Sequence, residues 1–299
     1  MDFVDMLLNR FDGESELKKP TNVLVCFTKP DTGKRLSRLA FHVAMSRPDK
    51  SALTLLHFMD KKEELSQTEE SNGSQGLILA DFMPNGEKSK ITMRTFVRES
   101  EDHLADIMKM TEEQHCNLVL IGISNEELDL RVVERYSRLR SDPANPMSTI
   151  LEQFTESECK RLQEISSLVS RNNVPTGIFI DNGLTVIRNI FIPILSKADV
   201  HIFTFIYHSA MKEQVRIMIW DAIGIIASEP KMQKLYQYIV KKTDGRVQLW
   251  NDDRKIEEDF IRGQDLVIIG VEGWVKLINA PLPWKEVLPS TLIIKDITT

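Results

Sequence analysis

Continuous apolar runs of strand length recur along the chain and alternate with segments of helical periodicity. A run that is apolar throughout is typical of a parallel strand buried on both sheet faces, whereas alternation indicates a half-buried strand. The buried type is predicted at Val23–Phe27, Leu118–Ile121, Asn189–Ile194 and Leu266–Ile269. Further strands are predicted at 51–59, 91–97, 175–181, 215–222, 246–250 and 290–296. The pattern therefore predicts an α/β protein.

Helices are predicted where apolar residues recur every three or four positions between these strands. One spans Lys34 to Ser46 after a turn at 29–33, and another follows Ser100, whose side chain is expected to cap it. Later helices are predicted after the capping pair Thr155 and Glu158, at 197–214, after Ser228 and Pro230, and within 253–263.

The order of elements in the first half of the chain returns in the second half. The runs CNLVLIGIS and QDLVIIGVE match closely, and each follows a helix and an extended segment. We expect two tandem units, each a mostly parallel five-stranded sheet with helices on both faces, packed as two separate sheets in a pseudo-twofold pair. The predicted domains are an amphipathic segment and linker at 1–20, a first unit at 21–181 and a more degenerate second unit at 182–299.

Composition narrows the functional classes. The 299 residues include 38 basic and 44 acidic side chains, a net charge of −6, so a nucleic-acid partner is not expected. Three separated cysteines without a CxxC pair indicate neither a disulfide framework nor a zinc site, and no metal site is predicted. No apolar run reaches the roughly 18 residues of a membrane span, and no signal peptide is recognised, so a cytoplasmic location is expected.

The order of elements and the "xxLVxIG" runs resemble the universal stress protein fold, an adenine nucleotide alpha hydrolase-like architecture, present twice. The segments TNVLVCFTKPDTGKRLSRLAFHVA and SALTLLHFM resemble the cytoplasmic C-terminal region of bacterial monovalent cation:proton antiporters. This resemblance implies a regulatory or sensor module at the inner face of the cell membrane. It implies a transmembrane antiporter domain in the same polypeptide, a homodimer, and a connecting role for residues 1–20.

Open parallel sheets bind ligands at the carboxyl ends of their strands, where the strand order reverses. In the first unit this position falls beyond the first and fourth strands, and its candidate ligand-binding residues are Thr28, Lys29, Asp31, His57, Gly122 and Ser124. In the second unit the candidates are Gly270 and Gly273.

The nucleotide chemistry of the resembled family is only partly present in these residues. Nucleotide-binding members carry a glycine-rich run after the fourth strand, where backbone N–H groups donate hydrogen bonds to phosphates. No second glycine follows closely after Gly122, while Gly273 fits the first spacing after Gly270 but stands between Glu272 and Trp274. We therefore expect no cofactor, with ATP or another adenine nucleotide as the alternative ligand.

Three functions are consistent with the sequence. The favoured one is a non-catalytic regulatory module of a cation:proton antiporter, so no enzyme activity is expected. The alternative is a free-standing nucleotide-binding universal stress protein. An enzyme of the related ATP pyrophosphatase type would need a phosphate loop such as SGGxDS after the first strand, and the sequence there reads TKPDTGKR.

Overall fold

A computed structural model describes residues 21–44, 51–59, 91–124, 174–210, 214–250 and 255–295. Two sequence predictions lie outside these residues: the amphipathic segment 1–20 and the helix after Thr155 and Glu158. The described residues form ten strands, seven α-helices and two 3-10 helices.

The first five strands are β1 (Asn22–Phe27), β2 (Ala52–Met59), β3 (Thr92–Glu99), β4 (Leu118–Ser124) and β5 (Thr176–Asp181). The remaining five are β6 (Asn189–Ile194), β7 (Arg216–Asp221), β8 (Val247–Leu249), β9 (Leu266–Gly270) and β10 (Ser290–Lys295). Every one overlaps a strand predicted from the apolar pattern, because buried strands carry the least ambiguous hydrophobic signal in this chain.

The α-helices are α1 (Pro30–Ala44), α2 (His103–Glu113), α3 (Phe203–Ala210), α4 (Ile225–Ser228), α5 (Pro230–Lys242), α6 (Glu258–Arg262) and α7 (Val271–Asn279). The 3-10 helices span Lys197–Ile202, directly before α3, and Pro283–Val287, directly before β10.

The ten strands form one continuous sheet in the order β3-β2-β1-β4-β5-β10-β9-β6-β7-β8. Among the described strands, β5 and β10 alone pair antiparallel, with Ile178 opposite Ile293. We call β1 to β5 the first half and β6 to β10 the second half. Read outward from this central pair, the two halves have the same strand order, and the sheet is mostly parallel.

The expectation of two separate five-stranded sheets is therefore wrong. If the two halves were separate, β5 and β10 would each lie at the edge of a five-stranded sheet. An unpaired edge strand leaves a row of backbone N–H and C=O groups without partners. Pairing these two edges satisfies both rows at once. Beyond the last residues of β5, Asn182 extends the joint because its backbone N–H donates to Ser290 Oγ at 2.9 Å.

Helices cover both faces of the sheet, as the continuous apolar strands predicted. Along β1, Val23 and Val25 pack with α1 on one face, while Leu24 and Cys26 pack with α2 on the other. In the second half, α3 and α5 cover the first of these faces, and α6 and α7 cover the second.

Two helix predictions need correction. Helix α1 begins at Pro30 rather than Lys34, because proline suits the first turn of a helix, where its missing N–H is not needed. The side chain that caps α2 belongs to Asp102, which accepts from the N–H of Ala105, and not to Ser100. The Ser100 hydroxyl donates instead to the carboxylate of Asp106.

Other helix boundaries also differ from the predictions. The segment predicted as one helix at 197–214 begins as a 3-10 helix and continues as α3. Ser228 belongs to the short helix α4, while Pro230 begins α5 after the N-cap Glu229. The run DLVIIGVEG predicts a strand as far as Gly273, whereas in the structure β9 ends at Gly270 and α7 begins at Val271.

Candidate functional site

The carboxyl ends of β1 and β4 lie side by side, because these strands are parallel neighbours with Cys26 opposite Ile121. Thr28 and Lys29 follow β1, and both are half-buried, whereas Asp31 is exposed in the first turn of α1. Gly122 lies within β4, and Ser124 is its last residue. The predicted residues of the first half are thus placed at one end of the sheet, which we call the first crevice.

His57 is held in this crevice by two contacts. Its Nε2 lies 2.9 Å from the carbonyl oxygen of Thr28, so this ring nitrogen carries the proton and donates to the carbonyl. Its ring also stacks on Phe27, with ring centroids 5.0 Å apart. Because the side chain is buried and fixed by these neighbours, it ties β2 to the turn after β1.

A carboxylate that the sequence analysis did not select closes the first crevice from the side of β5. Asp181, at the end of β5, accepts hydrogen bonds from Thr32 Oγ1 at 3.0 Å and from Arg35 at 2.9 Å. The N–H of Gly183 donates to its other oxygen at 3.0 Å. The Asp181 side chain is 2% exposed and that of Arg35 is 32% exposed, so one partner of this ion pair reaches solvent.

Helix α1 packs directly over Gly122. A Cβ added at Gly122 would lie 2.7 Å from Cγ2 of Thr32 and 3.3 Å from Cδ2 of Leu36. Glycine is therefore needed here for close packing of a strand against a helix. It is not free to admit a ligand while α1 occupies this position.

The second crevice lies at the carboxyl ends of β6 and β9, which are also parallel neighbours, with Ile190 opposite Leu266. Here the chain leaves β9 at Gly270 and enters α7 at once, so Gly270 is the N-cap of α7 and Gly273 lies in its first turn. Gly270 has no side chain with which to cap this helix.

Asp199 supplies the missing acceptor from the 3-10 helix that follows β6. One of its carboxylate oxygens accepts from the N–H groups of Leu195 and Ser196, at 3.0 and 2.8 Å. The other accepts from the N–H of Gly273 at 3.0 Å. Asp199 is fully buried, and its carboxylate lies where a Cβ on either Gly270 or Gly273 would have to stand.

The ionisation of Asp199 reflects opposing effects. Burial raises the pKa of its carboxyl group above the ordinary value, while the three backbone hydrogen bonds and the charge of nearby His201 favour the ionised form. His201 is itself buried, with Nδ1 at 2.6 Å from the carbonyl of Ala198 and Nε2 at 3.3 Å from that of Ile294.

The predicted residues thus lie at the two crevices. The strongest polar contacts there, however, are made by Asp181, Arg35 and Asp199, which the sequence did not predict. Asp199 had a local signal, since Ser196 and Asp199 have the spacing of a capping box. The contact of Arg35 with Asp181 spans 146 positions in the sequence, and no local pattern indicates it.

The described residues contain no group of three His, Cys, Asp or Glu side chains arranged to hold a metal ion. Within the same ranges, no helix has both the length and the apolar character needed to cross a membrane. In chemical terms, both crevices offer hydrogen-bond donors that meet carboxylates of the chain itself.

No known family model matches this sequence. No curated protein matches it either. Among solved structures, the functionally unknown protein PA1789 from Pseudomonas aeruginosa PAO1 is similar over 93% of this chain and 93% of its own, with 10% identity and a TM-score of 0.42. Anabaena Alr3699/HepE, solved in complex with UDP, is similar over 83% of this chain and 73% of its own, with 12% identity and a TM-score of 0.24. Both likenesses are too distant to assign a ligand or an activity.

Proposed function

We propose that this chain is a non-catalytic regulatory module built from two universal-stress-like units, and that it acts on a membrane-bound cation:proton antiporter. The antiporter part of this proposal rests on the resemblance of segments 21–44 and 51–59 to the cytoplasmic region of such transporters. The two-unit part is supported by the identical strand order of the two halves about the β5 and β10 pair.

One observation carries the non-catalytic part of the proposal. At each crevice, hydrogen-bond donors of the chain meet a carboxylate of the same chain: Thr32 and Arg35 donate to Asp181 in the first half, and Gly273 donates to Asp199 in the second. A catalytic site needs reactive groups that remain available to a bound substrate. Crevices filled in this way favour a role in packing and signal transmission over chemistry.

The continuous sheet offers a physical route for such transmission. Because β5 and β10 share backbone hydrogen bonds, a displacement of one half is resisted by the other across the joint. A ligand or partner can shift such an assembly only if it binds two packing states with different affinity. We expect such a ligand or partner to bind at the first crevice, because Arg35 reaches solvent there whereas Asp199 at the second crevice is fully buried.

The decisive experiment measures cation:proton exchange in membrane vesicles that contain the proposed transport domain, with and without residues 21–299. We expect deletion to change the exchange rate or its pH profile. An unchanged rate, pH profile and response to nucleotides added on the cytoplasmic side would reject the regulatory function and leave only a stabilising or assembly role.

Nucleotide binding, the alternative function, is tested on the chain itself by calorimetric titration of ATP and AMP. The regulatory proposal without a cofactor expects no heat of binding from either nucleotide. If binding is seen, the Lys29→Ala variant locates it, because Lys29 follows β1 at the first crevice. Binding that the substitution leaves unchanged would place the site elsewhere.

A further inference from the structure

The surroundings of Asp199 have the composition of an anion-binding site. Three backbone N–H groups, from Leu195, Ser196 and Gly273, converge on one carboxylate from two separate elements. One of these elements is the first turn of α7, a helix of nine residues whose positive end favours negative charge.

The space beside Gly270 and Gly273 is occupied by the Asp199 carboxylate. For Gly273, the three atoms nearest to an added Cβ all belong to the Asp199 carboxylate group, with the carboxyl carbon at 2.9 Å. For Gly270, the nearest atom is again a carboxylate oxygen of Asp199. Two glycines thus leave room for one small planar anion, and the anion present is a side chain of the protein.

We infer that the second crevice is an oxyanion site whose ligand is built into the chain, and that it accepts a free small carboxylate, such as formate, when the Asp199 side chain is removed. In the intact protein the site is closed to external anions. Of the two crevices, only the first is then open to a dissolved ligand. This inference does not depend on the antiporter proposal.

The chemical class of the ligand follows from the present occupant and the burial of the site. The group beside both Gly270 and Gly273 is one carboxylate, that of Asp199. Burial raises the pKa of Asp199 even with three donors and nearby His201, so the site favours a single charge only weakly. A phosphate dianion would carry a larger desolvation penalty into the same space.

The test uses the full chain with Asp199→Ala, which vacates the site, and compares thermal unfolding in sodium formate with that in sodium chloride at equal ionic strength. At a formate concentration about tenfold above its dissociation constant, the unfolding midpoint of the variant should rise by about 3 °C relative to chloride. Inorganic phosphate should give no such rise.

Two controls separate site binding from a general salt effect. Asp199→Asn fills the site with a neutral group of nearly the same shape, so formate should leave its midpoint unchanged. Asp221→Ala removes a partly exposed carboxylate that accepts from Ile225 and Ile226, and it should also show no response to formate. An equal formate effect in either control, or no effect in Asp199→Ala, would overturn the inference.

Should Asp199→Ala unfold at room temperature, the same comparison is made on refolding yield. The yield recovered from denaturant should be several-fold higher in formate than in chloride for this variant, and equal in the two salts for the wild type. Equal yields of the variant in both salts would reject the site.

Discussion

Thr32 in the first half and Asp199 in the second occupy corresponding places, each five residues beyond the end of the central strand, β1 or β6. Each also packs over a glycine of the neighbouring parallel strand, Gly122 or Gly270. The first half places a hydroxyl there and borrows its carboxylate, Asp181, from β5. In the second half, the residue at this place, Asp199, supplies the carboxylate itself.

This difference shows that two halves with the same strand order can bury the carboxylate at the crevice to different extents. In the first half, the Asp181 carboxylate is held by two side chains and by the N–H of Gly183, and one of these side chains, Arg35, is partly exposed. In the second half, the Asp199 carboxylate is held by backbone N–H groups and is fully buried. Side-chain partners can rotate away with a modest change, whereas backbone donors at a helix end cannot. We therefore expect the second crevice to be the more rigid of the two.

The largest expected effect tests the second half. Asp199→Ala leaves the N–H groups of Leu195, Ser196 and Gly273 without their acceptor, and we expect a loss of about 3 to 5 kcal/mol in the free energy of unfolding. Chemical denaturation in urea measures it. The matched control Asp221→Ala removes the acceptor of two N–H groups at the start of α4 and should cost about 1 kcal/mol. Equal losses in the two variants would contradict the special burial of Asp199.

Asp181→Ala tests the first half by the same measurement. Its partners are Thr32, Gly183 and a partly exposed Arg35 that regains solvent, so the loss should be smaller, about 2 kcal/mol. A loss equal to or larger than that of Asp199→Ala would reverse the ranking of the two crevices.

Gly122→Ala sharpens the comparison at the glycine that faces Thr32. Because the new Cβ would lie 2.7 Å from the Thr32 methyl group, we expect a loss of about 1 to 2 kcal/mol by thermal or urea unfolding. Adding Thr32→Ser removes that methyl group and keeps the hydroxyl for Asp181, so the double variant should recover part of the loss. Strictly additive effects would show that α1 does not press on Gly122.

A third carboxylate, Asp106, serves as a reference near the surface and has the smallest expected effect. Burial alone would raise its pKa, but hydrogen bonds from Ser100 and Arg98 and the Arg98 charge hold the pKa below the ordinary value of 3.8. A lowered pKa in the folded state stabilises the fold above pH 3.8, and this contribution is lost as the pH falls through the folded pKa.

Asp106→Asn should therefore be less stable than the wild type by under about 1 kcal/mol at neutral pH, and the difference should shrink in acid. Urea unfolding of both proteins across this pH range measures it. Glu113→Gln, at an exposed carboxylate that faces Lys109 at 3.8 Å, is the control and should show a smaller difference at neutral pH. A wild-type advantage for Asp106 that grows in acid would contradict the assigned sign.

The strands were predictable because each buried strand is a compact apolar run, as in Asn22–Phe27, which lies between Thr21 and Thr28. Their joining into one sheet was not, since the pairing of Ile178 with Ile293 leaves no mark in local composition. Helix starts depended on short-range details, such as whether Ser100 or Asp102 turns toward the first N–H groups of α2.

The candidate site shows the same division. The glycines at positions 122, 270 and 273 were recognised as places of close approach, which is a property of the residue type. What approaches them was not recognised, because Asp199 and Gly273 lie 74 positions apart and meet only in the folded chain. Sequence reasoning assigned these glycines to a ligand, and in the structure their space is taken by Thr32 at one crevice and Asp199 at the other.

The most direct test of the filled second crevice is a double-mutant cycle between Asp199→Ala and Gly273→Ala, read as the free energy of unfolding in urea. In the wild-type background, the alanine methyl group would collide with the Asp199 carboxylate, so Gly273→Ala should destabilise the protein. In the Asp199→Ala background the collision is gone, and the higher helix propensity of alanine should stabilise the protein by up to about 1 kcal/mol. The account predicts this change of sign, with a coupling energy of about 1 to 3 kcal/mol. The same effect of Gly273→Ala in both backgrounds would show that the carboxylate does not occupy the crevice.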